Sequence, residues 1–99
     1  MILEQFQLNG KVALVTGANR GLGQGMAIGL AEAGADIVAL DRMDSEDTGE
    51  AVRSLGRKFL QINCDLLTAT NADLAAIIDQ CISTMGRIDI LVNNAGIIR

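Results

Sequence analysis

Short aliphatic runs alternate with longer helical patterns along the whole chain. Val12-Ala13-Leu14-Val15-Thr16 is an almost continuous apolar run after Gly10-Lys11, the pattern of a strand buried on both faces. From Gly21 to Ala33, the residues Leu22, Met26, Leu30 and Ala33 recur at helical spacing, and Gly34 is placed to end that helix. Ile37-Val38-Ala39-Leu40 predicts a second strand that closes on Asp41. Ser45 to Leu55 predicts a second helix: Glu46 and Asp47 suit its N-terminus and Gly56 its end, although Gly49 and a thin apolar stripe weaken its middle. Phe59-Leu60-Gln61-Ile62 predicts a third strand leading to Cys64-Asp65-Leu66. Between Asn71 and Met85, Leu74, Ile77, Ile78, Cys81, Ile82 and Met85 form one broad apolar stripe, with Thr70 or Asn71 as cap and Gly86 as stop. Ile88-Asp89-Ile90-Leu91-Val92 predicts a fourth strand running into Asn93-Asn94-Ala95-Gly96.

Strands alternating with helices at this spacing imply βαβ units and a parallel sheet with right-handed crossovers. The expected class is therefore α/β, part of a doubly wound parallel sheet in the order 3-2-1-4, ending after the fourth strand. Ninety-nine residues suit one small domain, and no linker or repeat divides residues 1–99. Hydrophobic residues make up 49% of the chain and only Phe6 and Phe59 are aromatic, so the core must be aliphatic.

Charge and composition remove several functions. Acidic and basic residues are interspersed at a net charge of -4, without the basic face of a nucleic-acid binder. Cys64 and Cys81 lack CxxC spacing and have no histidine to join them, so two buried thiols are expected rather than a metal site or redox pair. No run approaches the ~20 apolar residues of a membrane span, and the N-terminus meets Glu4 before any signal-like stretch accumulates. The expectation is a soluble, cytoplasmic chain with no membrane partner. Histidine, tyrosine and tryptophan are all absent, which excludes triads built on an imidazole base and leaves no catalytic set to name.

The chemistry concentrates at Thr16-Gly17-Ala18-Asn19-Arg20-Gly21-Leu22-Gly23, between the first strand and the first helix. Gly17 allows a sharp exit from the strand. Gly21 and Gly23 remove side chains where backbone must approach a diphosphate and where helix must pack on strand. The helix N-terminus adds unpaired amides and a positive dipole end. The spacing is G-x-x-x-G-x-G, and glycine turns without a ligand are common, so a second signal matters. Asp41 provides it: it ends the second strand 41 − 23 = 18 residues past the last loop glycine. A carboxylate near the ~20-residue offset can accept hydrogen bonds from ribose hydroxyls.

Thr16 to Gly23, then Asp65-Leu66, then Asn93-Asn94-Ala95-Gly96 resemble, in order and spacing, the successive motifs of the short-chain dehydrogenase/reductase family. The resemblance runs from Leu8 to the end of the chain and implies a Rossmann-type sheet and a nicotinamide cofactor. It assigns Gly17, Asn19, Arg20, Gly21, Leu22 and Gly23 to the pyrophosphate loop, Asp41 to the adenosine ribose, and Asp65 with Leu66 to the adenine. Asn93, Ala95 and Gly96 would line the cofactor, with Asn94 structural. Asp41 favours NAD by repelling a 2′-phosphate; Arg20 and Arg42 are the residue types that hold one, which keeps NADP open.

Within the family, Met1-Ile2-Leu3, Gly21-Leu22-Gly23-Gln24-Gly25-Met26-Ala27 and Ala95 to Arg99 look most like the sugar-acid branch. The implied activity is hydride transfer between the cofactor and a hydroxyl or keto group of a sugar acid, in a homo-oligomeric, tetrameric parent. The family works through a Ser-Tyr-Lys set beyond the Asn93 motif, and this chain has no tyrosine. The expectation is a cofactor-binding portion, inactive alone, of an oxidoreductase. Another short-chain reductase, such as one acting on 3-oxoacyl thioesters, is the alternative within enzymes. A non-catalytic nucleotide-binding module or an inert truncated product is the alternative outside them.

Overall fold

The computed structural model describes residues 7–94. Its elements are β1 (Val12–Thr16), α1 (Gly21–Glu32), β2 (Asp36–Asp41), α2 (Glu46–Ser54), β3 (Phe59–Asn63), α3 (Asn71–Met85) and β4 (Ile90–Asn93). All four strands are parallel, in the order β3-β2-β1-β4. The sheet class and strand order read from the sequence are the ones observed.

Alternation along the strands builds two cores. Ala13, Val15, Ile37 and Ala39 face one way and pack with Ala27, Ala31 and Val52 of α1 and α2. Val12, Leu14, Val38, Leu40 and Ile62 face the other way and pack with Ile77 and Cys81 of α3. The central strands are therefore buried on both faces, which explains why β1 and β2 read as apolar runs rather than alternating patterns.

Three details depart from the pattern reading. The fully buried residues of α1 are Gly23, Ala27 and Ala31; of the predicted row Leu30 packs against the same core, half-buried, whereas Leu22 is exposed. Small residues win here because they let the helix axis come close to β1. On α3, Ile77 and Cys81 are the buried members of the predicted stripe, whereas Leu74, Ile78 and Ile82 remain largely exposed. Leu91 pairs in register with Leu14, so it lies on this same side of the sheet, and it is 66% exposed. Finally, β4 begins two residues later than predicted. Asp89 at its mouth uses its backbone N–H and a side-chain oxygen to close on the carbonyl and N–H of Val12, both at 2.9 Å.

The helix ends follow local chemistry. Thr70 caps α3 in a reciprocal box with Asp73, and Gly86 ends the helix with φ of 89°. Cys81 is buried, which pushes its thiol pKa up, while Cys64 is only half-buried; the expectation of two buried thiols holds for one of them. Among the described residues, no helix is long and apolar enough to cross a membrane and no acid, histidine or cysteine cluster could hold a metal.

Candidate functional site

The parallel arrangement brings every strand's C-terminal end to one edge of the sheet. The chain moves from β1 to β2 on one side and places β4 on the other, so the crevice at the end of β1 is a topological switch point. The glycine loop occupies it. Gly17 and Gly21 adopt φ of 65° and 61°, values at which a side chain is strained.

Gly17 is also tied to its neighbours: its N–H donates to the Leu40 carbonyl at 3.1 Å, and its carbonyl accepts from Asn94 Nδ2 at 3.3 Å. Beside it, Thr16 Oγ1 lies 3.3 Å from the Val92 carbonyl and 3.2 Å from Asn93 Oδ1, its one proton shared between the two acceptors. These bonds join the β1 and β4 ends and put Asn94 in a structural position.

Gly23 leaves no room for a side chain. A Cβ there would run into the Gly17 carbonyl and come within 2.7 Å of Asn94 Nδ2. Gly21 is the opposite case, with open space where its Cβ would lie. Arg20 occupies the cap position of α1 but makes no side-chain cap bond, and no acid lies in the first turn. The first amides of α1 therefore have no side-chain cap. Such a helix end suits an anion.

Asp41 ends β2, one residue past the carbonyl that holds Gly17, and its Oδ1 accepts from the Met43 N–H at 3.1 Å. Asp65 and Leu66 follow β3. The Asp65 carboxylate accepts from the Leu67 N–H at 2.9 Å, so one oxygen serves the turn itself. A cleft of about 370 Å³ between the end of β3 and α3 includes Asp65, Cys64, Asp73 and Ile77; of the residues assigned to the cofactor it takes in Asp65 alone. Asn19 is half-buried in the loop, and Arg20 and Arg42 are exposed. Ala95 and Gly96 lie outside the described residues.

Several residues of the site carried no sequence signal. Thr48 of α2 is fully buried, donates to the Ala18 carbonyl at 2.7 Å and accepts from Gln24 Nε2 at 3.1 Å, bracing the glycine loop from behind. Gln61 and Asn63 of β3 reach the turn after Asp41. Partners 16 to 30 residues apart leave no periodic trace, so only the fold reveals them.

The comparisons with known proteins agree with this geometry. The family model described as short chain dehydrogenase matches residues 11–99. A 2-dehydro-3-deoxy-D-gluconate 5-dehydrogenase of Escherichia coli (strain K12) is 52% identical over 99 residues, covering 100% of this chain and 38% of the relative. The chain thus spans well under half the length of that curated relative.

Among solved structures, a short-chain type dehydrogenase/reductase from Mycobacterium marinum superposes with a TM-score of 0.87 at 36% identity, over 100% of this chain and 40% of that one. Carveol dehydrogenase from Mycobacterium avium in complex with NAD gives 0.82 at 32% identity, over 91% and 37%. With the family model covering nearly the whole chain, and the strand order and glycine loop in place, the chain belongs to the short-chain dehydrogenase family.

Proposed function

We propose that the chain holds a nicotinamide dinucleotide, NAD in preference to NADP, as the cofactor half of an oxidoreductase acting on a hydroxyl or keto carbon of a sugar acid. The observation that carries the reading is the open, side-chain-free α1 N-terminus at the switch point, with Gly21 at positive φ and no Cβ neighbour. The amides of Gly21, Leu22 and Gly23 would bind the diphosphate, with Gly17 and Asn19 shaping the loop and Arg20 at its rim. The Asp41 carboxylate would accept from the ribose diol, and Asp65 with Leu66 would meet the adenine. Asn93, Ala95 and Gly96 would line the nicotinamide end.

When bound, the nicotinamide ring supplies the hydride chemistry. The chain's own part is to bind and orient; without tyrosine it holds no acid–base group of the Ser-Tyr-Lys kind. The sugar-acid substrate is supported by the 52% identity to a 2-dehydro-3-deoxy-D-gluconate 5-dehydrogenase, and by nothing among the described side chains.

Calorimetric titration of the purified chain tests the cofactor half: NAD binds in the micromolar to millimolar range and NADP more weakly. No heat with either at millimolar concentration overturns it. A full-length protein carrying these residues tests the substrate half, by reduction of NAD in the presence of 2-dehydro-3-deoxy-D-gluconate. Faster turnover of a 3-oxoacyl thioester would move the assignment to that class.

A further inference from the structure

The turn after Asp41 is held by a side chain from another strand. β2 and β3 stay paired up to Cys64, whose N–H donates to the Asp41 carbonyl at 2.9 Å. Beyond that point residues 42–45 leave the sheet, and the Gln61 carboxamide takes over from backbone pairing. Its Oε1 accepts from the Ser45 N–H at 3.1 Å and its Nε2 donates to the Met43 carbonyl at a longer 3.4 Å. Both bonds require one orientation of the amide, because one partner is a donor and the other an acceptor. Asn63, next on the same side of β3, adds a bond from Nδ2 to Asp44 Oδ1 at 3.1 Å.

The consequence reaches the site through Met43. Its N–H is the donor that orients the Asp41 carboxylate, at 3.1 Å from Oδ1, while Gln61 holds its carbonyl. Ser45 is 2% exposed, and in the intact turn the Gln61 carboxamide is the partner of its N–H. Removing the carboxamide releases both Gln61 tethers of the turn, and nothing from β3 then fixes Met43 against Asp41. Arg42, exposed between the two, moves with the turn.

We propose that Gln61 is a positioning residue for cofactor choice: by fixing Met43 it aims the Asp41 carboxylate and so favours a ribose diol over a 2′-phosphorylated ribose. The inference rests on the proposed cofactor reading and adds a residue that does not touch the cofactor.

The test is a double-mutant cycle on the full chain, reading Kd for NAD and for NADP in wild type, Gln61→Ala, Asp41→Ala and the double variant, with thermal unfolding followed for each. Gln61→Ala is expected to lower the preference for NAD about tenfold, the size of one or two hydrogen bonds. In the Asp41→Ala background the same change should move the preference less than about twofold, since the effect travels through Asp41. Gln61→Met keeps the length of the side chain, adds no charge and loses both bonds, so its shift should match that of Gln61→Ala, about tenfold; it carries the test if Gln61→Ala does not fold. Equal weakening of both dinucleotides, or an undiminished effect without Asp41, overturns the proposal and leaves cofactor binding standing. A wild type that binds neither dinucleotide overturns both.

Discussion

Replacing Gly23 by alanine and replacing Gly25 by alanine should move stability in opposite directions, although the two residues are two apart on one helix. At Gly25 a Cβ meets nothing within 4 Å. The change there only removes backbone freedom from the unfolded chain and is worth about 0.5–1 kcal/mol of added stability. At Gly23 the Cβ would overlap the Gly17 carbonyl and crowd Asn94 Nδ2 at 2.7 Å. The first obstacle is backbone and cannot rotate away. Either α1 lifts from β1, or the Gly17–Asn94 bond at 3.3 Å is given up.

Overpacking of this kind costs roughly 1–3 kcal/mol, and a lost hydrogen bond about 1 kcal/mol. Set against alanine's helix preference, the net is a loss of about 2–3 kcal/mol. For a domain of this size that lowers Tm by about 10–20 °C, while Gly25→Ala raises it by about 3–6 °C. Urea and thermal unfolding followed by circular dichroism would measure both. Two variants within about 0.5 kcal/mol of each other would refute the close-approach argument, because that gap is ordinary scatter for exposed positions.

Other consequences follow from the same contacts. Thr48→Val keeps the shape but strips the donor from the Ala18 carbonyl and the acceptor from Gln24, so it should cost about 1–3 kcal/mol in urea unfolding and weaken NAD binding as the loop loosens. Gly21→Ala meets no neighbour, so its stability cost should be limited to the positive-φ strain, about 1–2 kcal/mol; dinucleotide affinity should fall further than stability, as seen by titration. The Arg87 guanidinium and the Val12 N–H hold the Asp89 carboxyl below the usual carboxylate range. A depressed carboxyl stabilises the fold above its unfolded pKa and loses that contribution as pH falls through the folded value. The Tm gap between wild type and Asp89→Asn should therefore be full near neutral pH and close in acid, below the ordinary range; a gap that persists or widens there contradicts the assignment.

The parts of the fold that were legible in the sequence are those governed by local rules. Val12 to Thr16 reads as a doubly buried strand because both faces are covered, and Thr70 and Gly86 mark α3 because caps act within one turn. Glycine spacing and Asp41 pointed to the switch point because a phosphate loop constrains consecutive residues. What failed was the choice of face. Large residues drew attention on α1, yet Gly23, Ala27 and Ala31 are the buried ones and Leu30 packs only at their edge, since close approach selects for small side chains. On α3 the periodicity counted Leu74, Ile78 and Ile82 with the core, while Ile77 and Cys81 are the buried residues and Met85 packs beside them. Periodicity reports that a surface is apolar and says nothing about which part of it a given neighbour covers. Thr48 and Gln61 were out of reach for a third reason: their partners are set by register, not by sequence distance.

The claim at the centre is that the amides at the start of α1, together with Asp41, form the dinucleotide site. Backbone NMR of the isotope-labelled chain during NAD titration tests it residue by residue. The account predicts saturable shifts concentrated at Gly17, Gly21, Leu22, Gly23, the 41–43 turn and Asp65–Leu66, with little change along Asn71–Met85 beyond its first turn. Shifts centred instead on the exposed Leu74, Ile78 and Ile82 face, or none at millimolar NAD, would contradict it.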